Sequence, residues 1–282
     1  MIENKFVEKL INLALEEDCV FEDITSRLTI NNNQCQAGIL AKEDFVLCGI
    51  ELIEIIKKIS KFEFSIKLNF KDGDFVRNKD VIAILEGPAI TILALERTIL
   101  NFLQRLSGVA TYTNKLVKQA KNFTILDTRK TTPGFRYLEK YAVKIGGGDN
   151  HRMSLADMVL VKDNHIDTNN GDISLTLEKI YKSKPSNIPV EVEVRNKEEL
   201  LKVFKFPVDQ IMLDNMSDKE ILECVPLIRK NLPNSKIEIS GGLTLNRFSF
   251  LSEAGIDFIS LGSLTTQSTN VDISMKINIF HA

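Results

Sequence analysis

The sequence predicts two joined units, an α+β unit over roughly the first hundred residues and an α/β barrel after it. Three observations carry this. Beyond residue 120, short apolar runs alternate with helical patterns, the rhythm of a parallel α/β layer. Each run ends at once in a polar or glycine group, which in a barrel opens onto the C-terminal face where active sites are built. The earlier part instead mixes strand-like runs with single helices, as an antiparallel sheet with helices does.

Residues 4–17 place Phe6, Leu10, Ile11, Leu13, Ala14 and Leu15 on one stripe and predict an entry helix. EDITSRLTI after it reads as a more extended region. Strand-like runs follow at 37–41, 62–70 and 81–85, with a helix at 50–59 and a turn at Asp72-Gly73-Asp74. Residues 89–120 read as one long helical region that joins the units, with Gly108 as the candidate break. The apolar runs then recur at 123–126, 158–161, 190–194, 210–213, 237–239 and 258–261. The groups that end them are Asp127 to Lys130, Lys162 to His165, Arg195-Asn196, Asp214-Asn215, Ser240 to Gly242, and Gly262-Ser263.

Composition limits the function classes. At 282 residues and 44% hydrophobic, the chain fills a sizeable core. No apolar run reaches the length of a membrane span, and the acidic, amphipathic start is unlike a signal or transit peptide, so a cytoplasmic protein is expected. Cys19, Cys35, Cys48 and Cys224 lack ligand spacing and read as free thiols. A net charge of −2 from 36 basic and 38 acidic residues argues against nucleic-acid or anionic-membrane binding. Any positive patch is therefore local.

That patch is expected between Leu126 and His165, which holds two of the three histidines. Salt-bridged loops are the plain alternative to an anion-binding pocket there. Arg129 and Arg152 carry forks that match carboxylate and phosphate oxygens, and His151 reads equally well as a core histidine or a site residue. In PVEVEVRN, Glu191 and Glu193 alternate with valines and point toward the barrel axis. An internal salt-bridge network would account for Glu191. Glu193, nearer the mouth, needs cations or a metal, with Lys162, Arg129 and Arg195 as the nearby cations. Glu193 with Asp214 would hold Mg²⁺ through oxygen ligands and water. The glycines of Ser240 to Gly242 and at Gly262-Ser263 let backbone N–H groups approach a phosphate, although a glycine turn has the same spelling. Gly146 to Gly148 reads as a mobile linker, a helix end, or a loop that closes on a ligand.

LERTILNFLQRLSG, LDTRKTTPGFRYLEKYAVKIGGGDNHRM, VLVKDNHI, EVEVRN, IMLDNMS, ISGGLTLN and VDISMKI together resemble the quinolinate phosphoribosyltransferase family over nearly the whole chain. The resemblance implies an N-terminal α/β sandwich over 1–107, rejoined by 271–282, and a C-terminal open, TIM-like α/β barrel over 108–270. It implies a reaction: quinolinate and phosphoribosyl pyrophosphate give nicotinate mononucleotide, pyrophosphate and CO₂ with Mg²⁺, in NAD biosynthesis. It also implies a homodimer with shared sites, or a hexamer as a higher assembly. The quinolinate contacts carried over are Thr128, Arg129, Lys130, His151, Arg152 and Lys162, with Arg97 from the other subunit. Glu193 and Asp214 would serve the ribose and Mg-pyrophosphate, and Ser240, Gly241, Gly242, Gly262, Ser263 and Leu264 the 5′-phosphate. Lys130, Lys162, Glu193 and Asp214 are the catalytic candidates.

The chain departs from the family pattern in two places. EDCVFEDIT has Cys19 and Glu22 where glycines are usual, and in LTTQS Thr266 replaces a histidine. Three other readings compete. A related transferase of the same fold is disfavoured by the full TRKT, NHR and KDNH set. A non-catalytic sensor would have little use for Glu193 and Asp214, and a Schiff-base aldolase at Lys162 leaves the arginines unexplained.

Overall fold

The computed structural model describes residues 4–31 and 33–279, in two compact units. One comprises Met1–Lys115, Lys130–Gly147 and Ser263–Ala282, the other Leu116–Arg129 and Gly148–Gly262. Residues 108–115, 130–147 and 263–270, which the sequence reading places with the barrel, pack with the N-terminal part. Residues 1–3 and 280–282, the outer ends of the predicted sandwich, lie outside the described residues.

In the first unit, α1 (Lys5–Glu17) starts where the Asn4 side chain accepts from the N–H groups of Phe6 and Val7, and it buries Val7, Ile11 and Leu15. The expected extended region after it is instead a 3-10 turn, Val20–Glu22, and a short helix, α2 (Ile24–Thr29). The cause is a cap: the Asp23 carboxylate accepts from the Ser26 N–H at 3.0 Å, and this outweighs the β-branched composition. Strands β1 (Gln34–Ala41) and β2 (Phe45–Val46) precede α3 (Leu52–Ser60), and β3 (Ser65–Leu68), β4 (Phe75–Val76) and β5 (Val81–Pro88) follow it. A four-stranded antiparallel sheet runs in the order Ile273–Ile279, β1, β5, β3, while β2 and β4 pair separately.

Helix α4 (Ala89–Val117) runs for 29 residues with no break at Gly108. The glycine is there for a close approach: a Cβ on it would stand 2.1 Å from the Thr269 carbonyl oxygen. Helix α5 (Arg136–Ile145) ends at Gly146, whose bare Cα packs against Ala110 and Thr113.

The second unit is a six-stranded sheet of β6 (Thr124–Leu126), β7 (Val159–Val161), β8 (Val190–Val194), β9 (Gln210–Asp214), β10 (Lys236–Ser240) and β11 (Phe258–Ser260). All pairs are parallel, in the order β6-β11-β10-β9-β8-β7. The first strand thus pairs with the last, and one opening is left between β6 and β7, which makes an open α/β barrel. Helices α6 (Asp163–Asp167), α7 (Ile173–Ser183), α8 (Lys197–Val203), α9 (Asp218–Asn231) and α10 (Phe248–Glu253) connect the strands. Val161, Val192, Ile211, Leu213, Ile237, Ile239 and Ile259 are almost wholly buried in its core. The four cysteines are free. Among the described residues, no helix is long and apolar enough to cross a membrane.

Candidate active site

Because the six strands are parallel, the residues that end them share one edge of the second unit. In sheet order they are Thr128 and Arg129 after β6, Gly262 after β11, Ser240 to Gly242 at β10, Asp214 at β9, Glu193 in β8 and Lys162 after β7. His151 and Arg152 join them through Asp149. It bridges Leu126 in parallel, accepting from the Asp127 N–H at 3.1 Å and donating to the Ile125 carbonyl at 2.8 Å. The buried Asp127 carboxylate then accepts from the His151 N–H at 2.9 Å.

The cations gather at the barrel's opening. Arg152 follows the β6 side by its backbone, yet its guanidinium donates at 3.0 Å to the Met158 carbonyl, just before β7. Burial first, and then the charge of Arg129, lowers its basicity. Two guanidiniums thus lie close enough to repel, and the buried Nε of Arg129 has no hydrogen-bond partner. Such an arrangement is costly unless an anion completes it.

Lys162 is fixed at both ends. Its backbone N–H donates to His165 Nδ1 at 3.0 Å, which identifies His165 as a capping group of α6, and its Nζ lies 2.9 Å from Glu193 Oε2. Burial raises the Glu193 carboxyl above the ordinary range; Lys162 pulls it down, while the charges of Asp214 and Asp163 push it up. Glu193 and Asp214 are hard oxygen donors on neighbouring strands that repel one another, a set that fits Mg²⁺. Arg195, expected to serve Glu193, turns away instead. It grips Glu199 one helical turn on, at 2.6 Å, and reaches Asp167 at 3.4 Å.

At β10 the loop needs its glycines. Gly241 has φ +86°, and a Cβ there would stand 2.1 Å from Asn215 Oδ1; Gly242 has φ +54° and open space beside it. Asn215, itself at φ +53°, donates from its side chain to the Asp214 carboxylate at 2.6 Å, so the β9 and β10 loops interlock.

Beneath this edge lies a buried cluster. His151 Nε2 is 2.9 Å from Glu191 Oε2 and 3.7 Å from Glu238 Oε2. Gln210 Nε2 donates to Glu191 Oε1 at 3.1 Å and to Glu238 Oε2 at 2.6 Å. Burial, and next the charge of Glu191, hold the Glu238 carboxyl far above the usual carboxylate range. Sequence reasoning missed Glu238 and Gln210. The signal was available in KIEIS, whose alternation inside a strand covered on both faces repeats that of VEVEV.

Four expected site residues belong to the first unit. Arg97 lies on α4, and Ser263 and Leu264 open the short helix Ser263–Thr266. The Lys130 carbonyl accepts from Thr265 Oγ1 at 2.6 Å. Thr266 is exposed.

Paired guanidiniums, paired carboxylates and glycine-bearing loops on the C-terminal edge of a parallel barrel define an α/β-barrel enzyme that handles polyanionic small molecules. The chain belongs to the quinolinate phosphoribosyl transferase family: the model of its C-terminal domain matches residues 109–276 and that of its N-terminal domain residues 23–107. A Bacillus subtilis protein named probable nicotinate-nucleotide pyrophosphorylase [carboxylating] is 38% identical over 97% of this chain and 94% of its own length. A Methanocaldococcus jannaschii protein of the same name is 40% identical over 95% and 96%. The crystal structure of nicotinate-nucleotide pyrophosphorylase from Ehrlichia chaffeensis superposes with a TM-score of 0.89 at 35% identity, over 96% of this chain and 98% of that one.

Proposed function

We propose that this chain transfers the phosphoribosyl group of phosphoribosyl pyrophosphate to quinolinate with loss of CO₂, forming nicotinate mononucleotide and pyrophosphate for NAD biosynthesis. The observation that carries this reading is the guanidinium pair at the barrel opening, where Arg129 has a buried Nε awaiting an acceptor. A flat dicarboxylate suits two such forks. Thr128, Arg129, Arg152 and Lys162 form the quinolinate side, with His151, expected as a contact, standing behind them because both its ring nitrogens face protein groups, and Ser240 to Gly242 with Gly262 offer backbone donors to the 5′-phosphate. Lys130, Ser263 and Leu264 are proposed as substrate contacts on their motifs alone. Arg97 is proposed to serve the partner subunit of a homodimer or of a hexamer built from such dimers. The enzyme is proposed to act in the cytoplasm.

The ring nitrogen attacks the anomeric carbon as the bond to pyrophosphate breaks, its electrons leaving on oxygen. Positive charge on the ribose in that passage is stabilised by Glu193 and Asp214. The carboxylate beside the now cationic nitrogen then departs as CO₂, and the electrons left on the ring carbon take up a proton. Lys162 partly neutralises Glu193 and orients it. Glu193 and Asp214 would hold Mg²⁺, which would supply charge neutralisation for the pyrophosphate group. No covalent nucleophile is needed, and orientation with charge complementarity does the work. Appearance of nicotinate mononucleotide that requires both substrates tests this; saturable binding of both without turnover would identify a binding protein instead.

A further inference from the structure

Both ring nitrogens of His151 face protein groups. Nδ1 accepts from the Arg152 backbone N–H at 2.8 Å, so it carries no proton and the ring proton lies on Nε2, an assignment made from the hydrogen-bond network. Nε2 lies 2.9 Å from Glu191 Oε2, within reach of its charge, although the two atoms are not aligned as a hydrogen bond. Glu191 is wholly buried, and its other oxygen is taken by Gln210. Neither nitrogen is turned toward a ligand at the mouth. The imidazole is instead a strut between a buried carboxylate and the backbone of Arg152.

We propose that Glu191 is a positioning residue for the dicarboxylate substrate: it fixes the Nε2–H form of His151, which keeps Nδ1 as the acceptor that sets the Arg152 backbone and aims its guanidinium. This rests on the reading that Arg152 binds quinolinate. The chemistry of the contact makes it specific to the carboxylate. A glutamine at 191 has one acceptor and one donor where two acceptors are needed, so an N–H must face either Gln210 or His151. Facing His151, it favours the opposite tautomer, and two N–H groups then meet at Nδ1.

Glu191→Gln is expected to raise KM for quinolinate about 10- to 100-fold, the usual range for losing the partner that orients a ligand-binding group, with KM for phosphoribosyl pyrophosphate unchanged. His151→Gln keeps an N–H for Glu191 but removes the acceptor for Arg152, and should raise the same KM comparably. His151→Asn keeps an acceptor near Nδ1 and should raise it less. With three histidines in the chain, ¹⁵N–¹H spectra should show His151 as the Nε2–H tautomer, lost in Glu191→Gln; this readout stands even where a variant is poorly active.

An Nδ1–H tautomer in the wild type, an unchanged quinolinate KM in a folded Glu191→Gln, or equal weakening of both substrates would overturn the proposal. So would a stoichiometric divalent metal in purified protein that Glu191→Gln loses, since the carboxylate would then be a ligand in the His151, Glu191, Glu238 cluster, whose donor atoms lie within 4.8 Å of one another. Failure of the functional reading differs from all of these: the wild type itself would then not consume quinolinate.

Discussion

Arg129 and Arg152 show how a site is built by withholding partners. In a finished core, each guanidinium would be matched by a carboxylate. Here burial and mutual charge weaken Arg152, and Arg129 keeps a buried Nε without an acceptor. Arg129→Ala should therefore raise KM for quinolinate by on the order of 100-fold and leave KM for phosphoribosyl pyrophosphate nearly unchanged, a loss of about 3 kcal/mol. Ser240→Ala should do the reverse, and more weakly, because the backbone donors around it survive; steady-state kinetics on both substrates would show the partition. Arg129 was legible in the sequence because it follows an apolar run directly and so must lie at a strand end, whereas Arg152 was singled out by its fork and is placed only by the Asp149 bridge to Leu126. The direction of Arg195 was not legible. Its position after β8 predicted service to Glu193, but Glu199 on the first turn of α8 lies within its reach and captures it. Glu238 was hidden for another reason: the contact to His151 joins residues far apart in sequence, and only the register of the sheet brings them together.

Elements tell a similar story about local rules overruled by a single contact. EDITSRLTI has the composition of a strand, yet one capping carboxylate, Asp23, makes it helical. Gly108 has the spelling of a helix break, yet α4 continues through it, because the glycine admits the Thr269 carbonyl rather than ending the helix. Gly108→Ala should then destabilise the protein by on the order of 3 kcal/mol, although alanine is the better helix former; a higher melting temperature than the wild type would contradict this. The same unit has an ionic hub at Arg105. It pairs with the fully buried Glu139 at 2.6 Å and donates to the Ser268 carbonyl at 2.9 Å and hydroxyl at 3.0 Å, while Glu139 accepts from the Thr132 N–H and hydroxyl, each at 3.0 Å. The hub thereby ties the strand-leaving segment after Lys130 to the segment that carries Thr266. Nothing in the spacing of Arg105, Glu139 and Ser268 announces it.

Across the whole molecule, the alternation of apolar runs was enough to specify a parallel barrel, because six runs with polar ends admit few other arrangements. The division into units was less legible, since residues 130–147 and 263–270 leave the barrel rhythm without any change in composition. One global property follows from the buried cluster. In the folded chain Glu238 holds its proton up to about pH 8, whereas in the unfolded chain it loses it near the ordinary carboxylate value of about 4.3. Between those values the folded state binds more protons, so this contribution to stability is complete below the lower value and falls as pH rises toward 8. The slope is on the order of 1 kcal/mol per pH unit. Denaturant melts at pH 5 and pH 8 should show that decline in the wild type and a smaller one in Glu238→Gln.

Whether the barrel opening receives a dicarboxylate and the glycine loops its phosphoribosyl donor is decided by CO₂ release from quinolinate labelled in the carboxyl group next to the ring nitrogen. Release is expected only when phosphoribosyl pyrophosphate and Mg²⁺ are both present, in step with nicotinate mononucleotide. Folded protein that binds quinolinate but releases no CO₂ under those conditions would contradict this reading.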